Sequence, residues 1–114
     1  MATSLQKITS IRILEDSVQQ FVATSNATTT ITEFVDKQIS LADSVLDQEI
    51  DFGPITTASL IFIETTQEIS AKLNSASNPA FGVVDTWLIG TDNVTSLYLS
   101  NSSGTAATVR VIVA

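Results

Sequence analysis

The chain contains neither cysteine nor histidine in its 114 residues, and each absence removes a class of chemistry. Without cysteine there is no disulfide framework, no thiolate nucleophile and no cysteine-based metal site. Without histidine there is no imidazole ligand and no side chain that ordinarily titrates near neutral pH. Met1 is the only methionine, so easily oxidised groups are nearly missing. Charge is also sparse: 15% of residues are charged, against roughly 25% in an average domain. It is one-sided as well, with twelve acids, five bases and a net charge of −7. Such a surface repels polyphosphate. Lys7, Arg12, Lys37, Lys72 and Arg110 are scattered singly, so no nucleic-acid partner is expected. The four glycines sit at turn-like places and form no phosphate-binding loop. The longest apolar run, around Leu60 to Ile63, is strand-sized and predicts no membrane span. At the N-terminus no basic segment precedes an apolar block, so no signal peptide is expected.

What is present favours β structure. Hydrophobic residues make up 44% of the chain, and serine and threonine fill about a quarter of it. Small hydroxyl residues with Val and Ile suit pleated surfaces, where β-branched side chains lose little rotamer freedom. A chain of this length predicts one domain that buries about two-thirds of its extended surface.

Periodicity places the elements. Ile8 to Leu14 alternates imperfectly and reads as a first strand or an extended arm, broken by Glu15-Asp16-Ser17. Val18 to Ala23 fits either a short strand or one helical turn capped at Asp16 or Ser17. Thr28 to Leu41 is the first long strand expected, followed by a turn at Ala42-Asp-Ser. Leu46, Gln48, Ile50 and Phe52 then share one face, and Asp47, Glu49 and Asp51 the other, until Gly53-Pro54 stops the strand. Ile55 to Glu64 is apolar on both faces at Leu60-Ile-Phe-Ile, so it should lie centrally. A turn at Thr65 to Gln67 leads to Glu68–Leu73, with Ile69, Ala71 and Leu73 inward, and then to a loop from Asn74 to Ala80. Val83 to Ile89 carries the single tryptophan, and Gly90 to Asn93 turns into Val94–Ser100 and Thr105–Val113. Those last two runs, joined by Asn101-Ser-Ser-Gly, predict an antiparallel hairpin. The pattern as a whole predicts an all-β fold: one antiparallel β-sandwich, jelly-roll connections being one option, with an N-terminal strand or arm over residues 1–26 and the sandwich over 27–114.

Few constellations point to chemistry. Asp47, Glu49 and Asp51 would lie about 7 Å apart along a straight strand, whereas calcium needs oxygens that converge on one point. A solvated outer face is the simpler reading. Paired acids for glycoside hydrolysis need a cleft, which a sandwich this small has little room to form. A serine nucleophile would have only a lysine as base, and Lys72 reads more simply as a solvent-facing cation. Trp87, Phe62 and Tyr98 could make a platform for sugar rings, but each sits inside an apolar strand, where a core role is simpler. The Asn26, Asn93 and Asn101 sequons are coincidental in so Ser/Thr-rich a chain. Phe21, beside Val18 and Val22, is a candidate for contact with another subunit.

The segments Ile55–Asn74 and Thr91–Ala114 resemble small β-sandwich virion proteins encoded among the head and tail genes of tailed bacteriophages. Chains of about this length with a Leu-x-Leu-x-Asn-x-Ser-Gly-x-x-Ala-x-Val ending, here Leu97 to Val109, are similar to capsid decoration (cement) proteins and to some tail accessory subunits. The resemblance covers about half the chain and carries over no functional residue. It implies a structural protein made in the bacterial host cytoplasm and located on the virion capsid surface. Its partners would be the major capsid protein or other virion proteins and further copies of itself, a trimer being the form guessed. It implies no enzyme activity and no cofactor. Weak contacts repeated over many copies would add up through multivalency. An N-terminal arm that pairs with a neighbour's sheet edge would be a natural device, which makes Leu5, Ile8, Ile11, Ile13 and Phe21 candidate subunit or capsid contacts. A tail, neck or baseplate subunit, and a carbohydrate-binding module of a fibre, remain the alternatives.

Overall fold

A computed structural model describes residues 3–31 and 33–114, and every element in it is a β-strand. Contacts divide the chain into two units, Met1–Thr32 and Glu33–Ala114.

The first unit is a ribbon of two long antiparallel strands, β1 (Thr3–Glu15) and β2 (Val18–Ile31), which pair only with each other. Asp16 and Ser17 join them, and both hold positive φ, 51° and 64°. Two left-handed residues in a two-residue loop match the right-handed strand twist, as a type I′ turn requires. Val18 to Ala23 is therefore strand and not a helical turn, because Glu15 pairs with Val18 directly across the turn. The long strand expected from Thr28 to Leu41 is interrupted: β2 ends at Ile31 and the next strand starts at Val35.

The second unit has two four-stranded antiparallel sheets. One is ordered β3 (Val35–Leu41), β10 (Ala107–Val113), β5 (Ala58–Thr65), β8 (Thr86–Val94). The other is ordered β4 (Gln48–Ile50), β9 (Leu97–Ser100), β6 (Ile69–Leu73), β7 (Phe81–Val83). Both sheets line a single core. Ile61, Ile63, Val109, Val111 and Val113 from the first meet Ile69, Ala71, Leu97 and Leu99 from the second, all buried. The architecture is thus β-sandwich-like. Leu60-Ile-Phe-Ile does lie centrally, on β5 between β10 and β8.

Three local expectations differ from the structure, each for a backbone reason. Val83 to Ile89 is not one strand, because Asp85 adopts a positive φ of 59° and moves the chain from β7 in one sheet to β8 in the other. Gly90 to Asn93 is not a turn. β8 continues to Val94 with a bulge opposite Ala58 and Leu60, and the turn falls at Thr95-Ser96, where Asn74 Oδ1 accepts the Thr95 N–H at 2.8 Å. The C-terminal hairpin does not form either. β9 pairs with β4 and β6, while β10 pairs with β3 and β5 in the opposite sheet.

Asn101 holds that last crossing. It is fully buried and uses all four hydrogen-bonding positions of its amide. Nδ2 donates to the carbonyls of Leu41 and Thr105, each at 2.9 Å. Oδ1 accepts from the Ser103 N–H at 3.0 Å and the Ser103 hydroxyl at 2.7 Å. Its backbone binds the loop that leaves β3, through Ser44 and Val45.

Replacing Asn101 by Ala should destabilise the sandwich by about 1–3 kcal/mol for each buried carbonyl left unsatisfied, read as a lower urea midpoint with unchanged slope. Ile63→Ala, in the centre of the core, should cost about 2–5 kcal/mol in the same assay.

Candidate interaction surfaces

The ribbon is the first candidate. A sheet of only two strands is marginal in water without something packed on it. Its register runs unbroken from Thr3↔Ile31 to Ile13↔Phe21. Period-two alternation then places positions 5, 11 and 13 of β1 and 21, 23 and 31 of β2 on one face. The other face carries Ser4, Gln6, Ile8, Ser10 and Arg12 opposite Thr30, Thr28, Asn26, Thr24 and Val22. Of the five candidate contact residues, Leu5, Ile11, Ile13 and Phe21 share the apolar face by register, and their side chains lie outside the described residues. Ile8 falls on the polar face and is 63% exposed.

A second candidate lies on the outside of the β3-β10-β5-β8 sheet. Val111 and Val113 belong to the core, so Ile112 between them projects the opposite way. Ile112 pairs with Phe62, and Phe62 with Leu88. Three adjacent strands therefore carry one outward apolar row, half-buried at Ile112 and Phe62 and exposed at Leu88. One register step further along, the same surface turns polar. Arg110 binds Asp36 with two bonds, Nε to Oδ1 at 3.0 Å and Nη2 to Oδ2 at 2.7 Å. Glu64 sits directly across from Arg110 on β5. With Gln38, Thr66 and Thr108 these residues line an open groove of about 610 Å³.

The Arg110 hydrogen bonds hold the Asp36 carboxyl below its ordinary value, and Asp36 in turn raises Arg110. The pair joins residues 74 positions apart, so no local pattern in the sequence announces it. Both side chains remain well exposed, and an exposed pair contributes little to stability.

The acidic trio is arranged differently from the expected ladder. Asp47 has a positive φ of 49° just before β4, which breaks the alternation. Its carboxylate turns to Lys72 Nζ at 3.0 Å and to the Ser100 hydroxyl. Glu49 stays exposed on β4. Asp51 lies past the strand end and accepts the Gly53 N–H, while its carbonyl accepts from Lys37 Nζ at 2.7 Å. The same break leaves Leu46 79% exposed, although Ile50 and Phe52 are buried as the pattern required. Lys72 is accordingly tied to Asp47 and to the Ala76 carbonyl. Among the described residues no three acids gather as a metal-ion cluster.

Nor do the aromatics make a platform. Trp87 on β8 packs against the core and meets Phe81 of β7 at 4.6 Å between ring centroids, tilted by 31°. The two rings bridge the edge strands of opposite sheets. Phe62 lies outside the core on the apolar row, and Tyr98 on β9 pairs with Glu49 and Lys72 in the other sheet. The Asn101 sequon is buried and fully hydrogen-bonded.

No family model, no curated protein and no solved structure matches the chain.

Because the folded Asp36 value is lowered, the pair's contribution is complete above the ordinary aspartate range and is lost as pH falls through the lowered value. An NMR carboxyl titration should find Asp36 below the usual 3.8 in the native protein. It should return towards 3.8 in Arg110→Gln, whose thermal unfolding at pH 7 stays within error of the wild type.

Proposed function

We propose that the protein is a structural component of a tailed-phage virion, most simply a capsid decoration subunit that binds the outer surface of the major capsid shell and stabilises it. The observation that carries this reading is the ribbon: 27 residues in β1 and β2 whose strands pair with nothing but each other. Such an element gains its stability from a neighbouring subunit. The outward row of Ile112, Phe62 and Leu88 adds a second apolar surface, suited to contact with a larger assembly.

The strand order of the sandwich supports the same reading. Counting β3 as first, the sheets run 1-8-3-6 and 2-7-4-5, the arrangement of two interlocked Greek keys in a jelly roll, an architecture that viral capsid proteins use alongside lectins and cupins. Fold alone does not assign function, and the resemblance of Ile55–Asn74 and Thr91–Ala114 to small virion proteins is what selects among the architectures' uses. On this reading the protein acts by contact, without cofactor or catalytic group. The acidic body fits the outside of a shell better than its DNA-filled interior.

Quantifying the protein in purified particles tests the proposal. A decoration subunit should be present in hundreds of copies and should rebind shells that lack it, raising their resistance to heat. A yield of tens of copies or fewer would assign it to the tail, neck or baseplate instead, and its absence from particles would end the virion reading.

A further inference from the structure

We propose that the open groove lined by Gln38, Arg110 and Glu64 is a binding site for a neutral saccharide, which lies along this row with Phe62 beside it. The site belongs to the outer face of the β3-β10-β5-β8 sheet and does not depend on the virion reading.

Register builds the groove. Arg110 pairs with Gln38 on one side and with Glu64 on the other. All three are exposed and line the groove of about 610 Å³. Adjacent strands lie about 4.8 Å apart, so the row is about 10 Å long, the length of a disaccharide. Its three groups are planar: an amide, a guanidinium and a carboxylate. Each can engage two neighbouring sugar hydroxyls at once, as donor, acceptor or both. Asp36 holds the guanidinium in place through Nε and Nη2. Among the described residues, neither Arg110 Nη1 nor the side chains of Gln38 and Glu64 make a hydrogen bond. The groups that line the row are therefore held ready and unspent.

Charge selects the ligand. Lys7 and Arg12 offset Glu15 and Asp16 in the ribbon unit, so the net charge of −7 falls on the sandwich unit. A phosphate or an acidic sugar in the groove would meet Asp36 and Glu64 on that acidic body. A cationic side chain would meet the Arg110 guanidinium at the centre of the row. Ions of either sign are thus repelled, whereas a neutral ligand with many hydroxyls meets donors and acceptors alone. One register step away, Phe62 and Ile112 pair and are both half-buried. A pyranose ring is polar at its rim and apolar on its C–H face. A polar row beside an aromatic side chain suits both parts.

An NMR titration of the full-length protein tests the site, with maltohexaose, cellohexaose, mannohexaose and hexalysine as probes. At least one hexasaccharide should shift the amides of β3, β5 and β10 around Gln38, Glu64 and Arg110, with a Kd on the order of 1 mM for so open a groove. Added salt should leave that affinity unchanged, because the ligand carries no charge. Gln38→Ala with Glu64→Ala, both at exposed positions, should weaken binding about tenfold. Phe62→Leu keeps the apolar bulk and should weaken it severalfold. Ser70→Ala, on β6 of the other sheet, should bind like the wild type. Resonances away from the groove report that each variant is folded. No shift from any hexasaccharide at concentrations on the order of 10 mM would overturn the proposal. So would undiminished binding in the Gln38/Glu64 variant, or a row that responds to hexalysine and to no saccharide, which would make it a dock for a basic partner.

Discussion

The sandwich depends on the insertion of β10 between β3 and β5. That strand supplies hydrogen bonds on both of its edges, and its Val109, Val111 and Val113 are buried in the middle of the core. Without it the first sheet separates into β3 on one side and a β5-β8 pair on the other. The chain reaches this strand from β9 in the opposite sheet, and Asn101, just past β9, holds the crossing through hydrogen bonds to the carbonyls of Leu41 at the end of β3 and Thr105 ahead of β10. Apolar burial supplies most of the stability, while one amide fixes which strand goes where.

Much of this was legible in the residues. The β class, the central position of Leu60 to Ile63, the inward set of Ile69, Ala71 and Leu73, and the Asn74–Ala80 loop follow from period-two patterning and turn chemistry. What patterning missed has a common cause. Asp47 and Asp85 take left-handed backbone angles, and at each the alternation is reset or the chain changes sheet. Neither is glycine, the residue that ordinarily marks such a position. The C-terminal hairpin failed for a related reason. Two alternating runs joined by polar residues look alike whether the second folds back beside the first or arches over to the other sheet. Hydrogen bonds from Asn101 to Leu41, 60 positions away, decide between them, and no local window contains that information. The Arg110–Asp36 pair was hidden in the same way.

The two units divide the physical work. The sandwich completes its own core and carries the acidic charge. The ribbon carries no net charge, and its two strands form a sheet of their own. A sheet of only two strands is marginal on its own, whereas the two sheets of the sandwich share one core. The proposed function rests on that division.

Backbone hydrogen exchange on the isolated protein tests this division most directly. The account predicts that amides of β5 and β10 are strongly protected, while those of β1 and β2 exchange much faster. Ribbon amides as protected as those of the sandwich core would contradict it.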